Sequence, residues 1–233
     1  MSYFAKRFDR SVFTGLPLTI FVVVILVLLG TFVGITDSIV NSLPIVKIDV
    51  SFENYLYMVR TPSLAQTFYV ITYFADQITI GILMVMTLAY LYFKKELTYI
   101  YSLILTFVGA ETSVYLIKIL INRTRPPTNI AFYIEQSGSF PSGHAATALA
   151  FFGFVAYYLV RHIVAKDKKF FVVLIASIII ALVGFSRLYL GVHYLSDVIG
   201  GFIMGGLWLV AGITFREHHF YNTSLKKGKN PSM

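Results

Sequence analysis

Six stretches of the 233-residue sequence are long and apolar enough to be read as membrane crossings, and nothing else in the chain constrains its fold as much. They run from about Leu16 to Thr36, Ile78 to Phe93 with an apolar approach from Leu64, Leu97 to Ile117, His144 to Val160, Phe170 to Ser186, and Val198 to Phe215. Helical rise and hydrocarbon thickness together ask for ~20 residues per crossing. Backbone groups inside lipid must be paired within their own segment, so runs of this length are expected as helices. The fold class that follows is all-α: a polytopic membrane protein with six transmembrane helices in one bundle. The composition agrees, with 57% hydrophobic and 13% charged residues. No internal repeat and no linker interrupts the pattern. Residues 1–220 are therefore expected as one membrane domain, and the polar stretch 221–233 as a disordered cytoplasmic tail. Lys6, Arg7 and Arg10 precede the first run as they would the core of a signal peptide. The run is too long for one and no small-residue cleavage site follows it, so it is expected to remain as a span.

Charge gives the orientation. The formal net charge of +8 would suit a nucleic-acid binder in a soluble protein, but here it reads as basic cytoplasmic loops, with no nucleic-acid partner expected. Thirteen of the Lys and Arg residues fall in the segments before the first run, after the second, after the fourth and after the sixth. The opposite segments hold six: Lys47, Arg60, Lys118, Arg123, Arg125 and Arg187. The richer set belongs in the cytoplasm, which puts both termini inside, as an even number of spans requires. The segment from Asp37 to Ser63 is then outside. Within it Phe52, Tyr55, Leu56 and Val59 recur at helical spacing, as in a short helix lying flat at the interface, with its aromatic side chains packing at headgroup level. The absence of cysteine excludes disulfides, thiolate metal sites and a cysteine nucleophile.

The side with fewer basic residues carries the chemistry. Lys118 and Arg125 are seven residues apart, about two helical turns, so both can project from one face before Pro126 and Pro127 stop the helix. Two cations on one face repel each other unless an anion sits between them. Arg123, beside them, reads as snorkelling to lipid headgroups. Pro141-Ser142-Gly143-His144 opens the fourth span. Ser142 suits an N-cap, Gly143 admits close backbone approach, and a helix N-terminus with free N–H groups binds phosphate-like anions. Arg187, His193 and Asp197 form the third group. If the sixth helix has begun by His193, Asp197 lies one turn on and can orient the imidazole, which then serves as nucleophile or base. Together these groups offer three cations and a helix end for an anion, and two histidines for attack and proton transfer. Those are the needs of phosphoryl transfer. His144, His193 and Asp197 could also be imagined as metal ligands, but three adjacent cations oppose a metal ion, so no metal or other cofactor is expected.

At these residues the chain resembles the phosphatidic acid phosphatase type 2 family of membrane lipid phosphatases. Its three-part signature is complete and in order: Lys118 to Pro126, Pro141 to His144, and Ser186 to Asp197. The resemblance implies that His193 attacks phosphorus, Asp197 orients it, and His144 protonates the leaving group. It further implies that Lys118, Arg125, Arg187, Ser142 and Gly143 hold the phosphate without a metal. The implied activity is hydrolysis of a phosphomonoester or pyrophosphate on a lipid, of the undecaprenyl pyrophosphate, phosphatidylglycerol phosphate or phosphatidic acid class. The implied place is the outer face of a cell membrane. Two alternatives stand beside it: transfer of phosphate from lipid to lipid at the same site, and a lipid transporter without chemistry, against which the lack of repeats and of broken helices counts.

Other polar residues near the spans have structural readings. Glu111 is expected to make an interhelical hydrogen bond and Asp76 to cap a helix. Tyr115, Tyr133, Tyr189 and Tyr194 read equally as lining the entry to the site or as part of the interfacial aromatic belt, with the belt as the default reading.

Overall fold

The computed structural model describes residue 13, residues 15–42 and residues 44–226, and no strand occurs among them. The helices are α1 (Leu16–Val40), α2 (Pro44–Met58), α3 (Pro62–Thr72), α4 (Gln77–Phe93), α5 (Leu97–Ile121), α6 (Gly143–His162), α7 (Lys166–Tyr189) and α8 (Leu195–Lys226). Six helical segments have the length and apolarity to cross a membrane, and they coincide with the six expected runs. Most extend beyond the apolar stretch at one or both ends, because the last turn of a span needs no apolar residues once it leaves the hydrocarbon. Side chains such as Leu26, Val85, Leu120 and Phe171 point outward, as a lipid-facing surface requires.

Two expectations are corrected. The second span is not one helix: α3 ends in a 3-10 turn at Tyr73–Ala75, and α4 restarts with Asp76 as N-cap, its carboxylate accepting from the Ile78 N–H at 3.1 Å. The capping role expected of Asp76 is seen, and the break it creates was not anticipated. The tail is also shorter than expected. α8 runs unbroken through Tyr221 to Lys226, and Tyr221 is buried with its ring 6.2 Å from that of Phe13. The remainder of the tail, 227–233, lies outside the described residues, as do Lys6, Arg7 and Arg10.

The bundle is organised on α8, which packs against α1, α5 and α6. Small residues allow the closest of these approaches. A Cβ on Gly201 would lie 2.4 Å from the Ser142 carbonyl oxygen, and one on Gly205 would lie 2.5 Å from that of Ala146. This Gly-x3-Gly stripe brings α8 into backbone contact with the first turns of α6. On the α5 side, Trp208 packs flat on Gly109, and its indole N–H donates to Ser113 Oγ at 3.0 Å. Glu111 accepts a hydrogen bond from Thr147 Oγ1, tying α5 to α6 as expected.

α2 is a helix where the aromatic spacing predicts one, and it is longer than that pattern indicated. Its Phe52 and Leu56 pack on Ala65, Leu188 and Tyr189, while Tyr55 and Tyr57 remain exposed. Its other inward face carries two carboxylates, Asp49 and Glu53, both buried.

Candidate active site

The site lies where the N-terminal ends of α6 and α8, the C-terminal ends of α5 and α7, and the long 122–142 connection converge. Residues 122–142 are long for a connection within a bundle, and loops of that length without regular structure are characteristically functional. Asn122, in the left-handed conformation at φ 42°, ends α5 and turns the chain back over the bundle. The result is a cavity of about 310 Å³ lined by Lys118, Arg125, Glu135, Gly143, His144 and His193, and extending past Thr147 and Glu111 to Ala75, Asp76 and Gln77. The break in the second span thus forms part of the cavity wall.

Of the eight residues singled out in the sequence, Lys118, Arg125, Gly143, His144 and His193 line this cavity, and Ser142, Arg187 and Asp197 are buried outside that lining. Lys118 Nζ donates to the Gly138 carbonyl. Arg125 is held by the Ser137 and Val192 carbonyls, each at 2.7 Å, and its Nη1 lies 3.3 Å from His193 Nε2. Arginine can only donate, so that contact makes Nε2 the acceptor and leaves the proton on Nδ1. Nδ1 lies 3.5 Å from Asp197 Oδ2, close enough for charge pairing but without a formed hydrogen bond. Ser142 is the N-cap position of α6, but its hydroxyl makes no capping bond and no other hydrogen bond, although it is buried. Arg187 is fully buried, donates to Thr72 Oγ1 at 2.8 Å and to Tyr133 Oη, and reaches the cavity only through Glu135.

Asp197 pairs with His193 by a route other than the one expected. His193 lies in the turn before α8, so the two are not on successive turns of one helix. Instead Asp197 occupies the third position of α8 and reaches back to the Tyr194 N–H at 2.9 Å, the acidic half of a capping box. This folds the turn so that His193 stands over the carboxylate. Asp197 is fully buried and also accepts from Arg123 Nη1 at 2.6 Å and from Ser139 Oγ.

Three residues that sequence reasoning passed over or misread complete the site. Glu135 bridges the cations, 2.6 Å from Arg125 Nη2 and in contact with Arg187 Nη2. Burial acts to raise its pKa, but the surrounding positive groups, Arg187 foremost, outweigh burial and hold it down to about 2. Arg123 does not snorkel: it is buried between Asp49 at 2.7 Å and Asp197 at 2.6 Å. Tyr133 lies under Arg187. The aromatic-belt expectation is corrected for three tyrosines, since Tyr133 contacts Arg187, Tyr189 accepts from the Thr61 N–H and Tyr194 stacks 4.5 Å beneath Arg123. Tyr115 is exposed, as that expectation requires.

The electrostatics favour an anion and a neutral imidazole. Burial, followed by Arg125, Arg187 and Lys118, pushes the His193 pKa well below the usual imidazole range, against the opposing pull of Glu135. A divalent metal finds little to bind: His193 Nε2 faces a guanidinium, and both Asp197 oxygens are already engaged.

Six helical segments long and apolar enough to span, over a cavity lined by His144, His193, Lys118 and Arg125, define a class of multi-pass membrane protein with a basic, histidine-bearing cavity. Residues 95–221 match the PAP2 superfamily, and the chain belongs to that superfamily. It is 44% identical over 108 residues to phosphatidylglycerophosphatase B of Bacillus subtilis strain 168; the match covers 45% of this chain and about half, 52%, of that relative's length. The structure superposes with a TM-score of 0.77 on the crystal structure of a transmembrane PAP2-type phosphatidylglycerolphosphate phosphatase from Bacillus subtilis, at 30% identity, covering 83% of this chain and 96% of that one. The fold is shared with LpxE of Aquifex aeolicus, at a TM-score of 0.58, 23% identity and 73% coverage of this chain against 95% of that one.

Proposed function

We propose that this protein is an integral-membrane lipid phosphatase that works through a phosphohistidine at the outer face of the cell membrane, with no metal. The observation that carries the reading is the setting of His193: its Nε2 opens on the cavity beside Arg125, and its Nδ1 lies 3.5 Å from Asp197 Oδ2, which favours the tautomer protonated at Nδ1. An imidazole in that tautomer has its lone pair on the atom that must attack, and its low pKa keeps it neutral at physiological pH.

In the proposed reaction the phosphate takes the seat that Glu135 fills, between Arg125 and Arg187, with Lys118, the Ser142 hydroxyl and the Gly143 amide on its remaining oxygens. His193 Nε2 bonds to phosphorus as the bond to the lipid oxygen breaks, and His144, which takes up a proton when the phosphate dianion enters the cavity, gives that proton to the departing oxygen. The imidazolium formed at His193 is stabilised by Asp197. His144, now neutral, then takes a proton from water as the water oxygen bonds to phosphorus. The P–N bond breaks, and inorganic phosphate leaves.

The names of the Bacillus subtilis matches, by sequence and by structure, favour a phosphatidylglycerophosphate-type monoester as substrate. A pyrophosphate-bearing polyprenyl lipid and phosphatidic acid are the competing substrates. The distribution of thirteen basic residues against six supports the outward placement of the cavity and cytoplasmic termini. The break at Tyr73–Ala75 could suit a transporter, but it forms a wall of the same cavity as the histidines, which favours chemistry over transport.

The test is phosphate release in detergent with EDTA present, across a panel of lipid mono- and diphosphates, with vanadate as inhibitor. Release should persist in EDTA, fall with vanadate, and drop by at least ~10³-fold in His193→Ala. Full activity in His193→Ala would overturn the reading. Labelled phosphate appearing in a second lipid rather than in water would replace hydrolysis by phosphotransfer.

A further inference from the structure

Arg123 lies inside the first signature segment, yet both of its terminal nitrogens are used away from the cavity. Nη1 donates to Asp197 Oδ1 at 2.6 Å and to Ser196 Oγ at 2.8 Å, and Nη2 donates to Asp49 Oδ2 at 2.7 Å. Asp49 is itself buried and receives the Ser196 N–H at 2.9 Å, so α2 is fastened to the first turn of α8 at the residue beside Asp197. One guanidinium is thus divided between two carboxylates: one faces His193, and the other sits on α2.

We infer that Arg123 and Asp49 are positioning residues that set how much negative charge Asp197 presents to His193, and so couple the seating of α2 to the nucleophile. The inference rests on the reading of His193 as nucleophile. Arg123 withdraws part of the Asp197 charge, and Asp49 draws part of Arg123 away from that task. The two therefore act on His193 with opposite sign. A pin whose only role was to hold α2 in place would not give opposite signs.

The other charged groups facing His193 are Lys118 from α5, Arg125 and Glu135 from the connection, His144 from α6 and Arg187 from α7. None is altered in the variants below, so differences arise on the Asp197 side. Removing the Arg123 charge leaves Asp197 fully available to a protonated imidazole. Protonated His193 becomes easier to form, and the acid limb of the pH profile moves up. Removing the Asp49 charge gives Arg123 wholly to Asp197, and the limb moves down.

The experiment measures the pH profile of kcat/KM for the full-length protein in detergent, with a short-chain lipid monophosphate. Arg123→Gln should raise the acid limb by about 0.5–1 unit and lower kcat ~10–100-fold, with KM within about threefold of wild type because Arg123 does not touch the phosphate seat. Arg123→Lys should hold the limb within about 0.3 unit of wild type. Asp49→Asn should lower it by about 0.3–0.5 unit. Ser139→Ala removes a neutral donor from the same carboxylate and should raise the limb slightly. It keeps the test open if a charge variant fails to fold, as judged by size-exclusion behaviour and Tm. Shifts of the same sign in folded Arg123→Gln and Asp49→Asn, or no shift in any folded variant, would overturn the inference. His193→Ala in the same assay separates the two levels: if it is active, the phosphatase reading falls, and if it is inactive while the limbs stay fixed, only this inference falls.

Discussion

Glu135 shows how a single side chain can stand in for a substrate. Three cations converge on the cavity, and in this structure a carboxylate from the same chain neutralises two of them. On the proposed function a substrate phosphate displaces it, so Glu135 should weaken ligand binding while stabilising the ligand-free protein. Glu135→Gln is expected to bind vanadate or inorganic phosphate about tenfold more tightly, a gain of ~1.4 kcal/mol. Its ligand-free Tm should fall and then recover on adding phosphate, and differential scanning fluorimetry with a phosphate titration reads both. The sign of the pH dependence follows from the depressed pKa of about 2. The Glu135 contribution is fully present above the ordinary carboxylate pKa of ~4.3 and is lost as pH falls toward 2. Wild type should therefore lose more stability than Glu135→Gln between about pH 5 and 2. The eight signature residues could be read from sequence because their types and spacing are tied to phosphate chemistry. Glu135 and Asp49 could not: each lies in a segment whose periodicity says nothing about which way a carboxylate points. Arg123 was visible but misread, since nothing local reveals that Asp49, 74 residues away, waits for it.

At the scale of elements, the site depends on how closely α6 and α8 approach. Gly201 and Gly205 place the α8 backbone against the carbonyls of Ser142 and Ala146, which sets Asp197 beside the N-terminus of α6. Gly205→Leu has no room at 2.5 Å from a backbone oxygen. It should cost about 1–3 kcal/mol or more, seen as a large drop in Tm in detergent and loss of activity with every signature residue intact. The spans themselves were legible because apolar runs of sufficient length have no alternative in lipid. The break at Tyr73–Ala75 was not, because Asp76 reads equally well as the end of an apolar approach or the start of a span. The start of α8 at Leu195 escaped for a similar reason: the His193–Asp197 spacing fits a helix, yet a capping box delivers the same pairing from a turn.

Over the whole molecule, the distribution of basic residues predicts a sidedness that can be checked directly. The sequence contains no cysteine, so single cysteines can be introduced without background. Thr128→Cys, exposed in the connection between α5 and α6, should react with a membrane-impermeant maleimide in intact cells, whereas Lys168→Cys, exposed in the first turn of α7, should react only after lysis. The reverse pattern would turn the site to the cytoplasm. Trp208 adds a further use of the same economy of composition. It is the only tryptophan in the chain, and it is wedged in the seam between α5, which carries Lys118, and α8, which carries Asp197. Its fluorescence is consequently a built-in optical gauge of that seam, able to register the two helices shifting against each other when an anion binds, with no label and no turnover.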